Sequence, residues 1–444
     1  MALEELKARL DSFDGSVREH ALDELAKKAA SGDVRLPAAG SFTNLHFHTF
    51  FSFNCCGYSP SRIAWLAKET GLAVAGIVDF DVLDGVDEFL QAAQKLGLKA
   101  CAGLESRVFV AEFADKVMNS PGEPGIAYHM GTGFPTAAID KKLSAFAGLL
   151  RKTARDRNEI LVEKVNAFLA PVTIDYSCDV LPLTPEANAT ERHICLAYAQ
   201  KAAQVIDDSG KLAKFWSEKL TSDITAADLP NTVKLLNLIR AKTMKRGGAG
   251  YVQPDAKSFP SMEDMNNFVL AAGGIPTLAW LDGTSDGEQQ IERLLKIAMA
   301  SGVAAVNIIP DRNYTPGLGA EDKKCKNLYE FVAIAQTLDL PIIAGTEMNS
   351  PGQKFVDDFN SKELAPLTEV FLKGAHIVYA HSVLQRAAGL GYVSKWAKDN
   401  FESAEAKNEF FETFGKLLEP SAEKLLNGIS EKSKPQDILN LVKK

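Results

Sequence analysis

The sequence predicts an α/β barrel that is interrupted by a helical insertion and flanked by terminal helices. Three observations predict it. Apolar runs of strand length alternate with punctuated helical stretches over residues 41–135 and again over 255–395, the pattern of a parallel sheet covered by helices. Between them, residues 136–254 read as helices with few strand-like runs. Histidines and carboxylates recur at or just beyond the ends of the predicted strands, the face on which parallel α/β barrels place their chemistry.

The elements follow in order. Residues 1–40 form an N-terminal helical segment, with Leu3, Leu6, Leu10, then Ala21, Leu22 and Leu25 as apolar stripes. The first core strand spans 42–48. A helix follows with Ser59 as cap, Pro60 at its first position and Gly71 as its stop. The run Leu72–Asp79 is a second strand. Asp84 is placed to cap the next helix, which ends at Gly97. Lys99–Glu105 is a third strand, and Gly125–Gly131 a fourth. Within 136–254 the helical stretches are 140–169, 190–207, 211–220 and 231–245. The alternation then resumes with a helix opened by Ser261 and strands at 274–279, 303–309 and 340–347. Residues 374–380 read as a further short strand or extended segment, and the chain is helical from there, with 396–444 as C-terminal helices. Seven strand signals with intervening helices favour a barrel over an open sheet.

Composition narrows the function classes. Hydrophobic content of 46% with 24% charged residues is that of a soluble globular protein. A net charge of −8 argues against a dedicated binder of nucleic acid or anionic membrane. No apolar run reaches membrane-spanning length, and the first residues form an amphipathic helical pattern rather than a signal peptide. The six cysteines show no CxxC pair, so reduced thiols in a cytoplasmic protein are expected. The adjacent Cys55 and Cys56 read as packing or loop thiols.

His46 and His48 lie one residue apart on the first strand. Alternate side chains of a strand share a face, which suits two neutral imidazoles binding one cation. Alone, the pair is weak. It gains weight beside Glu105, His129 and Glu347 from later strands and His193 from the insertion. Imidazole with carboxylate suits a borderline divalent ion such as zinc, manganese or iron.

These stretches resemble the polymerase and histidinol phosphatase (PHP) superfamily. The carrying segments are HFHTFFS (46–52), GLAVAGIVDFDVLDGVDEF (71–89), GLES (103–106), YHMG (128–131), ERHI (191–194), GGIPTLAW (273–280) and GTEMNS (345–350). The resemblance implies a distorted seven-stranded (β/α) barrel with a metal site at the C-terminal strand ends. It implies that His46, His48 and Glu105 hold a first ion, with Glu347 where an aspartate usually stands. Glu105 would bridge to a second ion held by His129 and His193.

The departures from the family's pattern fall together. Phe80 stands where the family often has histidine, Asn349 where it often has histidine, and Asn54 near the place of a common aspartate. Those positions supply a third ion in trinuclear members, so two divalent ions (zinc, manganese or iron) are expected. Trp280, where many members carry histidine, would add an aromatic wall. Arg107 and Arg192 are candidates for holding a phosphate, with Asp79 as a third candidate catalytic group; Asp79 and Asp81 could orient ligands, and Asp81 could equally serve a turn or cap. Arg246–Gly250 reads as a flexible loop, His376 and His381 as structural, His20 as exposed.

The expectation is a metal-dependent hydrolase, a phosphoesterase acting on a small phosphorylated molecule through metal-activated water. Two rivals stay open: a degenerate barrel serving as a binding or regulatory module, and a metal-dependent amidohydrolase. Substrate and oligomeric state are not legible in the sequence.

Overall fold

The structure, a computed structural model, describes residues 2–443. Seven strands form one sheet in sequence order: β1 Thr43–Phe47, β2 Val74–Phe80, β3 Lys99–Phe109, β4 Ile126–Thr132, β5 Ile275–Trp280, β6 Ala305–Ile308 and β7 Ile342–Ala344. A parallel bridge between Phe47 and Glu347 brings the last strand's continuation back to the first. The sheet is thereby nearly closed into a distorted (β/α) barrel.

One strand departs from the expected parallel order. β4 runs antiparallel to both β3 and β5. A parallel return needs a crossover of a dozen or more residues, usually a helix. Between Phe109 and Ile126 there is only one turn of 3-10 helix, Ala111–Phe113, so the chain doubles back directly. β3 also runs four residues past Glu105, to Phe109. Glu105 and His129 therefore sit within strands rather than at their C-terminal ends.

The helical punctuation follows local chemistry. Ser59 accepts from the Arg62 amide at 2.9 Å and Pro60 takes the first position of the helix Pro60–Glu69. Gly97 closes the next helix in the left-handed conformation. Asp84 does not cap that helix, whose N-cap is Gly85; its carboxylate instead meets Arg151 at 2.5 Å.

The segment 374–380 is helix, not strand. It lies inside Thr368–Ala388, which is buried along Gly374–Leu384. A helix covered on all sides loses its polar face, so its sequence reads as a continuous apolar run. Ile377 and Val378 share a core with Leu45, Val74, Cys101, Ile275, Ala305 and Ile343, which plugs the N-terminal end of the barrel. Gly374 is required there: a Cβ would lie 2.0 Å from the Ile342 carbonyl oxygen.

Residues 136–254 carry the helices Lys141–Leu169, Glu191–Val205, Ser209–Leu220 and Val233–Ile239 around a core of their own that includes Leu161, Val165, Tyr198 and Trp216. Asn188 ties this unit to the barrel, donating to the carbonyls of Phe51 and Phe80 at 3.0 and 2.9 Å. Among the described residues, no helix is long and apolar enough to cross a membrane.

Candidate metal centre

β1 carries His46, and His48 follows it in extended chain held by its amide to the Glu347 carbonyl at 2.8 Å. The register with β2 shifts between Asn44 and Phe47, an irregularity of the kind that re-aims side chains beside sites. Gly345 permits the approach of the opposite strand. A Cβ there would lie 2.4 Å from Asn44 Oδ1 and 2.5 Å from His46 Cβ.

Both imidazoles converge on one carboxylate oxygen. His46 Nε2 lies 3.3 Å and His48 Nε2 3.1 Å from Glu105 Oε2. All three side chains are buried, and their ligand atoms lie within 4.8 Å of one another. His48 Nε2 nevertheless has no hydrogen-bond partner, because its approach to Glu105 misses hydrogen-bond geometry. A buried polar atom left unpaired costs about 1–3 kcal/mol. A cation between the three atoms would remove that cost.

The tautomers agree. His46 Nδ1 donates to Asn307 Oδ1 at 2.8 Å. His48 Nδ1 donates to Ser52 Oγ at 3.2 Å, and that hydroxyl donates to Asp79 Oδ1 at 2.6 Å. Each Nδ1 thus holds the proton, and each Nε2 presents a lone pair, the arrangement that orients metal-ligating histidines. Burial opposes charge on Glu105, but the neighbouring imidazoles outweigh it and hold the carboxyl at about 2. Burial likewise pulls His46 down, and Glu105 outweighs it, so His46 is raised. The residues fit a divalent ion with a nitrogen, nitrogen and oxygen donor set.

The other expected residues fall elsewhere. Asp79 does not touch the cluster: it stands behind Ser52, accepting also from the Thr49 amide and hydroxyl at 2.7 and 2.6 Å. It is a positioning residue for His48. His129 faces away from the cluster. Its strand neighbour Met130 packs in the barrel interior with Val78 and Ala279, so His129 points to the helix layer, where Nε2 meets Asn266 Oδ1 at 2.6 Å. The reversed direction and odd register of β4 turn it out. His193 is spent in part on the helix N-terminus, its Nδ1 accepting from the Thr190 amide at 3.1 Å. Its ring stands edge-on to Phe53. Burial lowers both His129 and His193 to about 4.

Glu347 reaches the rim. Arg312 Nη2 and Gln353 Nε2 hold its Oε2 at 2.7 and 2.8 Å. Glu347 and Met348 both adopt positive φ, 68° and 52°, a conformation that costs an L-residue about 1–2 kcal/mol. Arg107 shares the face of Glu105 two residues along β3, pairs with Glu123 at 3.3 Å and lies over the Phe259 ring. Arg192 donates to Ser350 Oγ at 2.7 Å across the mouth of the barrel. Arg312, Asn307, Ser52 and Gln353 were not among the residues the sequence pointed to. Arg312 follows β6 just beyond its end, and that position was the signal available.

Residues 44–197, about a third of the chain, match the family model described as PHP domain. Those residues are similar to a PHP domain. The match spans β1 to β4 and the insertion through His193. A search of curated proteins returns no match. Among solved structures, an amidohydrolase from Chromobacterium violaceum with bound sulfate and no metal is 18% identical, over 70% of this chain and 88% of its own, with a TM-score of 0.48. A protein from Bifidobacterium adolescentis, provisionally named a metal-dependent phosphoesterase, is 19% identical over 75% and 97%, with a TM-score of 0.47. With TM-scores this low, neither likeness carries weight for this chain's fold or chemistry.

The departures from the PHP pattern have structural occupations. Phe80 stacks on His48 with ring centroids 4.2 Å apart. Asn54 organises the loop, donating to the His48 carbonyl at 2.8 Å and accepting from the Cys56 amide at 2.8 Å. Trp280 is not a wall of the site. Ala279 takes the interior face of β5, so Trp280 points outward and stacks on Phe331 at 4.3 Å in the core. Asp81, at φ 62°, accepts from Ser106 Oγ at 2.5 Å away from the cluster. His381 is structural, bonded to the Gly273 carbonyl and the Tyr392 amide.

Proposed function

We propose that this chain is a metal-dependent phosphoesterase acting on a small phosphorylated molecule, with one divalent ion held by His46, His48 and Glu105. The observation that carries the reading is the unpartnered Nε2 of His48, buried and aimed with His46 at one oxygen of Glu105. When bound, such an ion supplies Lewis-acid polarisation of a phosphoryl oxygen and acidifies a water.

The chain's own residues support the remaining tasks. Asn307 and the Ser52–Asp79 pair fix the imidazole planes. Arg107 offers N–H donors for phosphoryl oxygens, and Arg312, released from Glu347, offers more. Asn188 ties the insertion to the barrel at the carbonyls of Phe51 and Phe80. A second ion would lack His129, which the barrel turns outward.

The test is metal analysis of protein purified without chelator, together with hydrolysis of an aryl phosphate and of matched amides and lactones. About one ion per chain with phosphate-ester turnover is expected, and His48→Ala should lose both. Near-zero metal, or turnover confined to amides or lactones, would overturn the reading.

A further inference from the structure

Arg107, one strand repeat along β3 from Glu105, stands near a second cluster of charges. Glu191 opens the helix Glu191–Val205, and its Oε2 accepts from both Arg240 Nε at 2.9 Å and Lys245 Nζ at 2.8 Å. Arg192 beside it donates to Asn237 Oδ1 at 2.5 Å and Ser350 Oγ at 2.7 Å, both neutral. Arg107 adds a further guanidinium, paired among the described residues with Glu123 alone. One cation would neutralise Glu191. The structure supplies two, plus an arginine with neutral partners. Arg240 keeps both terminal nitrogens out of its bond to Glu191.

The two clusters are joined through the barrel wall. Tyr128 pairs with Arg107 in the β3–β4 register. The charges of Arg107, Glu191, Arg240 and Glu105 all bear on its phenol. Glu105 and Arg107 share one strand face, a spacing of roughly 7 Å.

We infer that Arg240, Lys245 and Arg192 form a site for a second anionic group of the substrate, a phosphate or carboxylate carried roughly 7 Å from the group at the metal ligands. This rests on the phosphoesterase reading for the first anion. Arg240 and Lys245 lie at the end of the insertion, so the insertion selects for doubly anionic substrates.

The test is calorimetric binding to the full-length protein loaded with Mn2+, using butylphosphonate and tetramethylene bisphosphonate, neither of which can be hydrolysed at phosphorus–carbon bonds. The bisphosphonate is expected to bind at least about tenfold tighter, the worth of a charge-assisted contact. Arg240→Gln and Lys245→Gln, tested separately, should each shrink that advantage several-fold. Each variant leaves Glu191 one cation, so folding is not at risk from an unpaired charge, and thermal melts check this. Equal affinities in the parent protein, or variants that weaken both ligands alike, overturn the inference. Failure of the phosphoesterase reading looks different: butylphosphonate would not bind, while a bisphosphonate still dependent on Arg240 would keep the second site.

Discussion

Ser52→Ala isolates the link between the buried acid and the metal ligand. Ser52 Oγ stands between His48 Nδ1 at 3.2 Å and Asp79 Oδ1 at 2.6 Å. Removing it frees the imidazole to change tautomer and plane. Loss of such an orienting partner weakens metal affinity by about 10–100-fold, or roughly 1.4–2.7 kcal/mol. The cost to folding should be of similar size. Asp79 keeps the amide and hydroxyl of Thr49, but both hydrogen bonds of Ser52 Oγ are lost, each worth about 0.5–1.5 kcal/mol. The assay is competition for Zn2+ or Mn2+ against a fluorescent chelator, with urea unfolding of the metal-free protein as control. A variant that binds metal within about twofold of the parent, at unchanged fold, would refute both His48 as ligand and the role given to Asp79.

Other outcomes follow from the same structure. Glu288, buried and accepting from three backbone amides, is pushed up to about 7, chiefly by burial. Its folded value lies above the ordinary 4.5, so the folded state binds the extra proton and stability falls as pH rises from about 4.5 to about 7; Glu288→Gln should flatten that slope in urea titrations at pH 5 and pH 8. Trp280→Ala should cost about 3–5 kcal/mol as a core truncation while leaving metal stoichiometry unchanged, whereas a change in metal binding would return Trp280 to the site. Thr221 ends its helix at φ 49° in an exposed position; relief of about 1–2 kcal/mol of left-handed strain outweighs the 0.5–1 kcal/mol entropy cost of glycine, so Thr221→Gly should stabilise by up to about 1 kcal/mol in denaturant melts.

Much of the architecture was legible because its signals are local. Ser59-Pro60 and Gly97 act through their own turns of helix, and apolar strand runs report burial on both faces. What was not legible depended on direction and facing. His129 reads as a ligand from its place in a motif, yet one reversed strand assigns Met130 to the interior and His129 to the helices. The missing helix between Phe109 and Ile126 was the available warning. Residues 374–380 failed for a related reason, since a fully buried helix and a buried strand share one composition. Arg312 and Asn307 come from the far side of the barrel. Only closure brings them to Glu347 and His46.

The side chains at the three positions where the chain departs from the PHP pattern are held in different ways. Phe80 fills space against His48, so a histidine there would have to give up that stacking to reach a cation. Asn54 uses both halves of its amide: Nδ2 on the His48 carbonyl, Oδ1 on the Cys56 and Tyr58 amides. An aspartate would keep the acceptor and lose the donor, leaving the His48 carbonyl unpaired in a buried loop at about 1–3 kcal/mol. Asn349 makes no side-chain hydrogen bond among the described residues, so substitution there is the least constrained of the three. Restoring ligand types at 54, 80 and 349 would therefore not rebuild a third site by itself. The loop from His48 to Tyr58 is held by an asparagine, and its path past the two histidines depends on that amide.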